Sequence, residues 1–288
     1  MALSNYAVAC WGDSLTAGAG GDGVTYPQVL AERIAEKYAP VPVHNMGIGG
    51  ENTVTILGRA GATVIHLYRK IVVPETCTPV RVWLSCDHVG MFRPLRQGDG
   101  GINPVELDGI PGTLSVRQTS IYQPASKVQY FFTRSEPGRA EAIPTGAALT
   151  VANEGKYDSD ITVIFIGTNG GYIDARDLVS QQKLLIHSDR YLVLGLTRGS
   201  AADTAKENAR MSEEFGDHFL DLRTLLCRDG LRLAGLPETD DDRSDIAAGI
   251  VPRSLRVDPV HFTAAAYRVI GNAVFDRLDQ LGMFDGLK

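Results

Sequence analysis

Cysteine is scarce in this chain, with four in 288 residues, at positions 10, 77, 86 and 227. No CxxC pair occurs and no Cys/His spacing suits zinc, so neither a metal knuckle nor a disulfide framework is expected. A local Cys77–Cys86 bridge is close enough in sequence to form, but four reduced thiols are the simpler expectation. Long apolar runs are also lacking. Nothing approaches the roughly 18 consecutive apolar residues of a membrane span, and residues 1–5 carry no positive charge of the kind that opens a signal peptide. The chain as given reads as cytoplasmic, with a removed leader or another export route left open. Nor is there a basic excess. Lys and Arg number 28 against 34 Asp and Glu, a formal charge of −6 that argues against a nucleic-acid groove.

What is present is an ordinary globular composition, 44% hydrophobic and 22% charged, long enough to bury a full core. Ala7–Trp11 predicts a short buried strand, followed by Gly12 and a glycine-rich stretch from Gly18 to Gly23. The spacing of Val29, Leu30, Ile34 and Ala35 predicts a helix over Tyr26–Tyr38, stopped by Pro40. Val41–Met46 predicts a second strand, ending in Gly47-Ile48-Gly49-Gly50. From Val72 to Val151 helical spacing gives way to alternating runs, among them Val80–Leu84, Leu114–Arg117 and Val128–Phe132. Val105-Glu106-Leu107, a turn over Asp108–Gly112, and Leu114 onward read as a hairpin. The α/β pattern then resumes. Strands are expected over Ile161–Ile166 and Tyr191–Leu196, and helices over Ala201–Phe215 and Ala264–Leu281, the last capped by Thr263.

The chain thus divides into a first α/β part (residues 1–71), a β-rich insert (72–151) and a second α/β part (152–288). Strands alternating with helices imply a parallel sheet, in which sites gather outside the carboxyl ends of the strands. The glycine turns at Gly12, Gly47–Gly50 and Gly167 all fall at such ends.

Two short segments near opposite termini carry the chemistry. Gly12-Asp13-Ser14-Leu15 offers a hydroxyl at a strand end, and Asp258-Pro259-Val260-His261 offers a carboxylate and an imidazole. Serine is a poor nucleophile until an imidazole takes its proton and a carboxylate fixes the imidazole tautomer. Pro259 keeps Asp258 out of helical geometry, so a turn presents the pair. Each piece has a plainer explanation on its own. Ser14 could be a helix cap, Gly47–Gly50 a tight turn, Asn169 a turn former, and Asp258 with His261 the dressing of the last helix. Asp240-Asp241-Asp242 is expected to be a solvated acidic loop, without ligand spacing for a metal. His44, His66, His88, His187 and His218 show no partner pattern. Trp83, Tyr122, Tyr130, Phe131 and Phe132 suit either a sugar-stacking platform or, more simply, the core of the β insert.

Taken together, four blocks resemble those of the GDSL, or SGNH, hydrolases. Gly12-Asp13-Ser14-Leu15-Thr16-Ala17-Gly18 resembles the first, Asn45-Met46-Gly47-Ile48-Gly49-Gly50 the second, Gly167-Thr168-Asn169 the third and Asp258-Pro259-Val260-His261 the last. They occur in the family's order, and the resemblance covers roughly 1–57 and 153–288. It implies a three-layer α/β/α, flavodoxin-like parallel sheet and a serine esterase with Ser14, Asp258 and His261 as its triad. The oxyanion donors would be the backbone N–H groups of Ser14 and Gly50 and the side-chain amide of Asn169. No metal or cofactor is implied. The substrates would be small-molecule or saccharide esters with a short acyl group such as O-acetyl. Two alternatives stand beside this one. They are a lysophospholipase or thioesterase, and a glycan- or receptor-binding module with a vestigial site. One departure is visible: Gly170 stands where the third block usually has Asp, which leaves the support of Asn169 to be found elsewhere.

Overall fold

The computed structural model describes residues 7–88, 92, 101–117, 127–157 and 161–285. Within them the chain is a mixed α/β protein with one parallel sheet, one seven-stranded antiparallel sheet and a two-stranded antiparallel ribbon, Ile71–Val73 with Glu141–Ile143. Five parallel strands follow in chain order: Val8–Gly12, Val43–Gly47, Ile161–Phe165, Tyr191–Leu194 and Phe219–Leu220. Numbered along the chain, they lie in the order 2-1-3-4-5 across the sheet. The winding direction therefore reverses between the first strand and the third, where open α/β sheets leave a crevice beyond their carboxyl ends. Gly12 pairs in register with Gly47 on one side and Phe165 on the other, so the three strands end level.

The first strand is buried along its whole length, as a central parallel strand must be. Its residues alternate between two packed clusters. Val8 and Cys10 join Tyr26, Leu30, Ile34 and Ile270, whereas Ala9 and Trp11 join Ile56, Leu178 and Met211. Period-two alternation sends neighbouring side chains to opposite faces, so helices pack on both. Helices Tyr26–Lys37 and Ala264–Gln280 supply the first cluster, and Thr53–Ala60, Ala175–Lys183 and Ala205–Phe215 the second. Local chemistry starts these helices where they start. The Thr25, Thr263, Asn52 and Asp174 side chains each accept an N–H from the first turn that follows.

The segment expected as one helix over 201–215 is a 3₁₀ turn, Ala201–Thr204, followed by helix Ala205–Phe215. Ser200 and Asp203 form a capping box that tightens the first turn, and this separates it from the regular helix. The acidic triplet is not a loop, as expected above, but the first turn of helix Asp240–Ala247. Thr239 and Asp242 cap each other there, and carboxylates at a helix N-terminus are favourable.

The antiparallel sheet runs across space through Val80–Val82, Gln129–Arg134, Ile110–Arg117, Val105–Leu107, Ala148–Val151, Ile65–Leu67 and Leu84–Cys86. Its two edge strands are consecutive in sequence and separated only by Trp83, so the sheet curls round towards a barrel. This breaks the run Val80–Leu84, expected as one strand, at Trp83. The β structure also begins at Ile65, ahead of residue 72 where alternation becomes visible, directly after helix Thr53–Ala60. The hairpin is tighter than its prolines and glycines imply. Asp108 and Gly109, with φ of 50° and 82°, make a two-residue turn, and Ile110 already pairs with Leu107. Two positive φ values in succession match the right-handed twist of the flanking strands.

Tyr130 and Phe132 point into the insert's core, whereas Phe131 lies on the opposite face and Trp83 is only half-buried. The expected aromatic group therefore splits, and Tyr122 falls outside the described residues. All four cysteines are free. Among the described residues, no helix is long and apolar enough to cross a membrane.

Candidate active site

Ser14 sits directly beyond the carboxyl end of the first strand, at the start of the short helix Ser14–Ala17. That turn is only possible because of its glycines. A Cβ on Gly12 would meet Thr16 Oγ1 at 2.0 Å, and one on Gly47 would meet the Ala17 nitrogen at 2.1 Å. Gly18, with φ of 85°, ends the helix by donating its N–H to the Ser14 carbonyl. Ser14 sits in this tight turn and is only 8% exposed.

The Asp258–His261 turn comes from the other end of the chain. Asp258 Oδ1 accepts the N–H groups of Val260 (2.7 Å) and His261 (2.8 Å), which folds the segment into a side-chain-capped turn. A bridge between Arg256 and Phe262 and the Val257 N–H to His261 carbonyl bond clip its base. Asp242 holds the preceding turn through the Ser254 N–H and hydroxyl, and Asp245 binds Arg253 and Arg256. Gly20 lets this turn close on the first glycine loop, since a Cβ there would lie 2.4 Å from Val257 Cγ2.

The result is a continuous relay. His261 Nδ1 lies 2.7 Å from Asp258 Oδ2, and His261 Nε2 lies 2.9 Å from Ser14 Oγ. An ionised carboxylate only accepts, so the Nδ1 proton points to Asp258. Nε2 then presents its lone pair, and the Ser14 hydroxyl donates to it. Burial opposes the Asp258 charge. The His261 ring and the His261 and Val260 N–H groups outweigh it and hold the carboxyl down at about 2. The carboxylate is therefore charged throughout the neutral pH range.

The remaining expected residues gather at the same place. The Cβ position of Gly49 is 3.7 Å from Ser14 Cβ, which brings the Gly49–Gly50 turn against Ser14. Gly50 has φ of 83°, a conformation that favours glycine, and its N–H has no acceptor among the described residues. Asn169 donates from Nδ2 to the Glu51 carbonyl at 3.0 Å, next to Gly50. A side-chain amide has two N–H bonds, so one remains for another acceptor. The Gly170-Gly171 departure has a structural role. Gly170 accepts the Thr53 N–H, and Gly171 accepts the Thr53 hydroxyl at 2.9 Å, with φ of 95° and Thr53 where a Cβ would stand. The pair docks the Asn169 loop onto helix Thr53–Ala60.

Three residues that sequence reasoning passed over complete the site. Arg59 is fully buried and sends Nε to Glu51 Oε2 (2.5 Å) and its Nη2 to the carbonyls of Gly12 (2.9 Å) and Met46 (2.5 Å). One guanidinium thus ties together the ends of the first two strands and the Gly49–Glu51 turn. A fixed fork of donors suits this in a way that a lysine ammonium does not. Asp13 is also fully buried, and burial raises its carboxyl to about 6. The Leu15 N–H, the Thr168 hydroxyl and the His261 charge pull the other way, while Glu51 adds to the rise. An arginine on a helix and an acid in a turn look like surface charges in sequence. Only the tertiary fold shows them to be interior.

Among the described residues, no group of three or more His, Cys, Asp or Glu side chains is placed to hold a metal ion. Comparison with family models, with curated proteins and with solved structures finds no match to this chain. The chemistry of the site therefore rests on its own geometry.

Proposed function

We propose that this protein is a serine ester hydrolase of the GDSL/SGNH type, built on a three-layer α/β/α sheet with a β insert. The observation that carries the reading is the unbroken Asp258–His261–Ser14 relay at 2.7 and 2.9 Å, assembled from segments 247 residues apart at the carboxyl edge of a parallel sheet. Its chemistry follows from the groups present. The Ser14 oxygen attacks an ester carbonyl while His261 Nε2 takes its proton. Negative charge moves onto the former carbonyl oxygen, within reach of the Ser14 and Gly50 N–H groups and the spare Asn169 N–H. The imidazolium, steadied by Asp258, then protonates the leaving alkoxide, and the C–O ester bond breaks to leave an acyl-serine. Water repeats the sequence with His261 as base, releasing the acid and restoring Ser14.

The favoured substrate is a small-molecule or saccharide ester with a short acyl group such as acetyl. The decisive test is turnover of p-nitrophenyl acetate by the wild type and by Ser14→Ala. Activity in the wild type that falls to background in the variant supports the esterase. Equal background rates in both would leave a binding module with a vestigial site. With p-nitrophenyl esters of graded length, rates that fall beyond acetyl are expected. Rates that climb towards octanoyl would favour the lysophospholipase or thioesterase alternative.

A further inference from the structure

The insert has an outer face that the hydrolytic reading leaves unused. On strands Ile110–Arg117 and Gln129–Arg134, even-numbered side chains point inward and odd-numbered ones outward. Arg117 and Phe131 therefore share the outer face, with the Arg117 guanidinium 4.3 Å from the Phe131 ring centre. Arg81 is the cross-strand partner of Phe131 and lies 4.8 Å over Trp83. Arg69 lies 5.1 Å over the other approach to Trp83 and 5.8 Å from Tyr68. Guanidinium and aromatic groups thus alternate along one strip, which crosses the seam where Trp83 joins the two edge strands.

This strip joins several cations and rings, unlike the single contact of Lys156 with Tyr157, and it differs from the remaining cation–aromatic contacts in its setting. Arg59 over Trp11 is buried within the active-site framework, and Arg33 and Lys37 carry carboxylate partners. Arg69, Arg81 and Arg117 are exposed, and among the described residues none of them has a carboxylate within ion-pairing distance. Stacking occupies the flat faces of these guanidinium groups and leaves their edge N–H bonds free, in the fork that matches a carboxylate. Charge is distributed to suit. Residues 65–151 carry nine Lys and Arg against seven Asp and Glu, whereas the rest of the chain carries 19 against 27. The positive part of an acidic protein is the insert, and on it three cations without a carboxylate partner among the described residues stand beside the exposed Tyr68 and the half-buried Trp83 and Phe131 rings.

We propose that this strip, over Tyr68, Arg69, Arg81, Trp83, Arg117 and Phe131, binds an anionic glycan chain. The exposed Tyr68 ring and the uncovered edges of Trp83 and Phe131 would meet the apolar faces of sugar residues, and the guanidinium edges would take their carboxylates. Three cations are too few for a nucleic-acid backbone, which draws on a dense basic surface, and the net charge of −6 opposes that partner further. The site is separate from the relay, so the proposal does not depend on hydrolysis.

The test uses the full chain carrying Ser14→Ala, so that no turnover complicates binding. Retardation in gels containing polygalacturonate, alginate or hyaluronan is compared with neutral dextran and with a single-stranded oligonucleotide. At least one carboxylated polysaccharide is expected to retard the protein, with an effect that weakens as salt rises, and dextran is not. Arg81→Gln with Arg117→Gln should weaken that binding at least tenfold. Arg81→Lys with Arg117→Lys should also weaken it, because the charge stays and the planar fork is lost. These side chains are exposed, so circular dichroism and urea midpoints equal to those of the parent check that the variants remain folded. Three results would each overturn the proposal: no retardation by any of the three polysaccharides, equal binding by the Gln variant, or tighter binding of the oligonucleotide or dextran.

Discussion

In the proposed mechanism Ser14, His261 and Asp258 act as one unit, so their losses should not add. Ser14→Ala and His261→Ala are each expected to remove p-nitrophenyl acetate turnover to background, with the double variant no worse. Additive losses would argue against a shared relay. The two carboxyls nearest this unit have opposite pH signatures. Asp258 is held at about 2, below its unfolded value near 3.9. Its contribution to stability is therefore present above about pH 4 and is lost as pH falls towards 2. Asp13 is raised to about 6, so its contribution is present below about pH 4 and is lost as pH climbs through 6. Asp13→Asn keeps an oxygen for the Leu15 N–H while removing the buried charge. It is expected to stabilise the protein at pH 8, by up to about 3 kcal/mol from the size of the shift, and to do nothing at pH 4. Denaturant unfolding at both pH values checks this, and an equal effect at the two would show that the charge is not the cause.

At the level of elements, the site depends on how strand ends are tied. Arg59, in the last turn of helix Thr53–Ala60, binds the ends of two strands and a buried Glu51. Removing one member of a buried ion pair leaves the other uncompensated, which costs about 3–5 kcal/mol. Arg59→Met should lose stability on that scale, and Arg59→Lys should recover only part of it, as measured by urea midpoints. Because the Glu51 carbonyl is also the acceptor for Asn169, turnover should fall in kcat more than it rises in KM. A Met variant as stable as the wild type would mean that the guanidinium does not hold these strands. Asp242 plays a comparable part for the His261 turn. Asp242→Ala frees Ser254 and the helix cap at once, and its loss is expected to reduce turnover without touching any reacting atom.

Over the whole molecule, the two sheets are coupled through one helix. Val54, on the helix that follows the Gly50 turn, belongs to the insert's hydrophobic cluster, while Ile56 and Leu57 belong to the parallel sheet's. Gly58 makes room for the Phe92 ring, which would otherwise lie 2.2 Å from a Cβ, and Asn153 joins the Arg59 and Gly101 carbonyls. Disturbance of the insert should therefore reach the oxyanion donors. Val54→Ala, a buried large-to-small change costing about 1–3 kcal/mol, is expected to lower esterase turnover although it lies outside the relay. Turnover unchanged at full destabilisation would show the two cores to be independent.

Local signals carried a good deal of this. Apolar spacing, with Thr263 as the cap of the second, placed helices Tyr26–Lys37 and Ala264–Gln280 to within a residue or two, because such helices answer to short-range chemistry. Glycine turns after apolar runs marked three strand ends, with Ser14, Gly50 and Asn169 legible as residue types there and Asp258 and His261 as a turn before the last helix. Helix Ala175–Lys183 was not legible. It buries Gln181 and Gln182 beside Leu178 and Val179, so its apolar stripe is too short to read. Trp83 was equally opaque, since an alternating run continues through it while the sheet closes there.

The order of the strands, the charge of the interior and the meeting of distant segments belong to the tertiary structure alone. Residue identity determines which atoms can donate, accept or ionise, and chain spacing determines which local turns form. Whether Arg59 is solvated or enclosed, and whether an imidazole at 261 reaches a hydroxyl at 14, depends on packing between segments remote in sequence. No short-range preference encodes that packing.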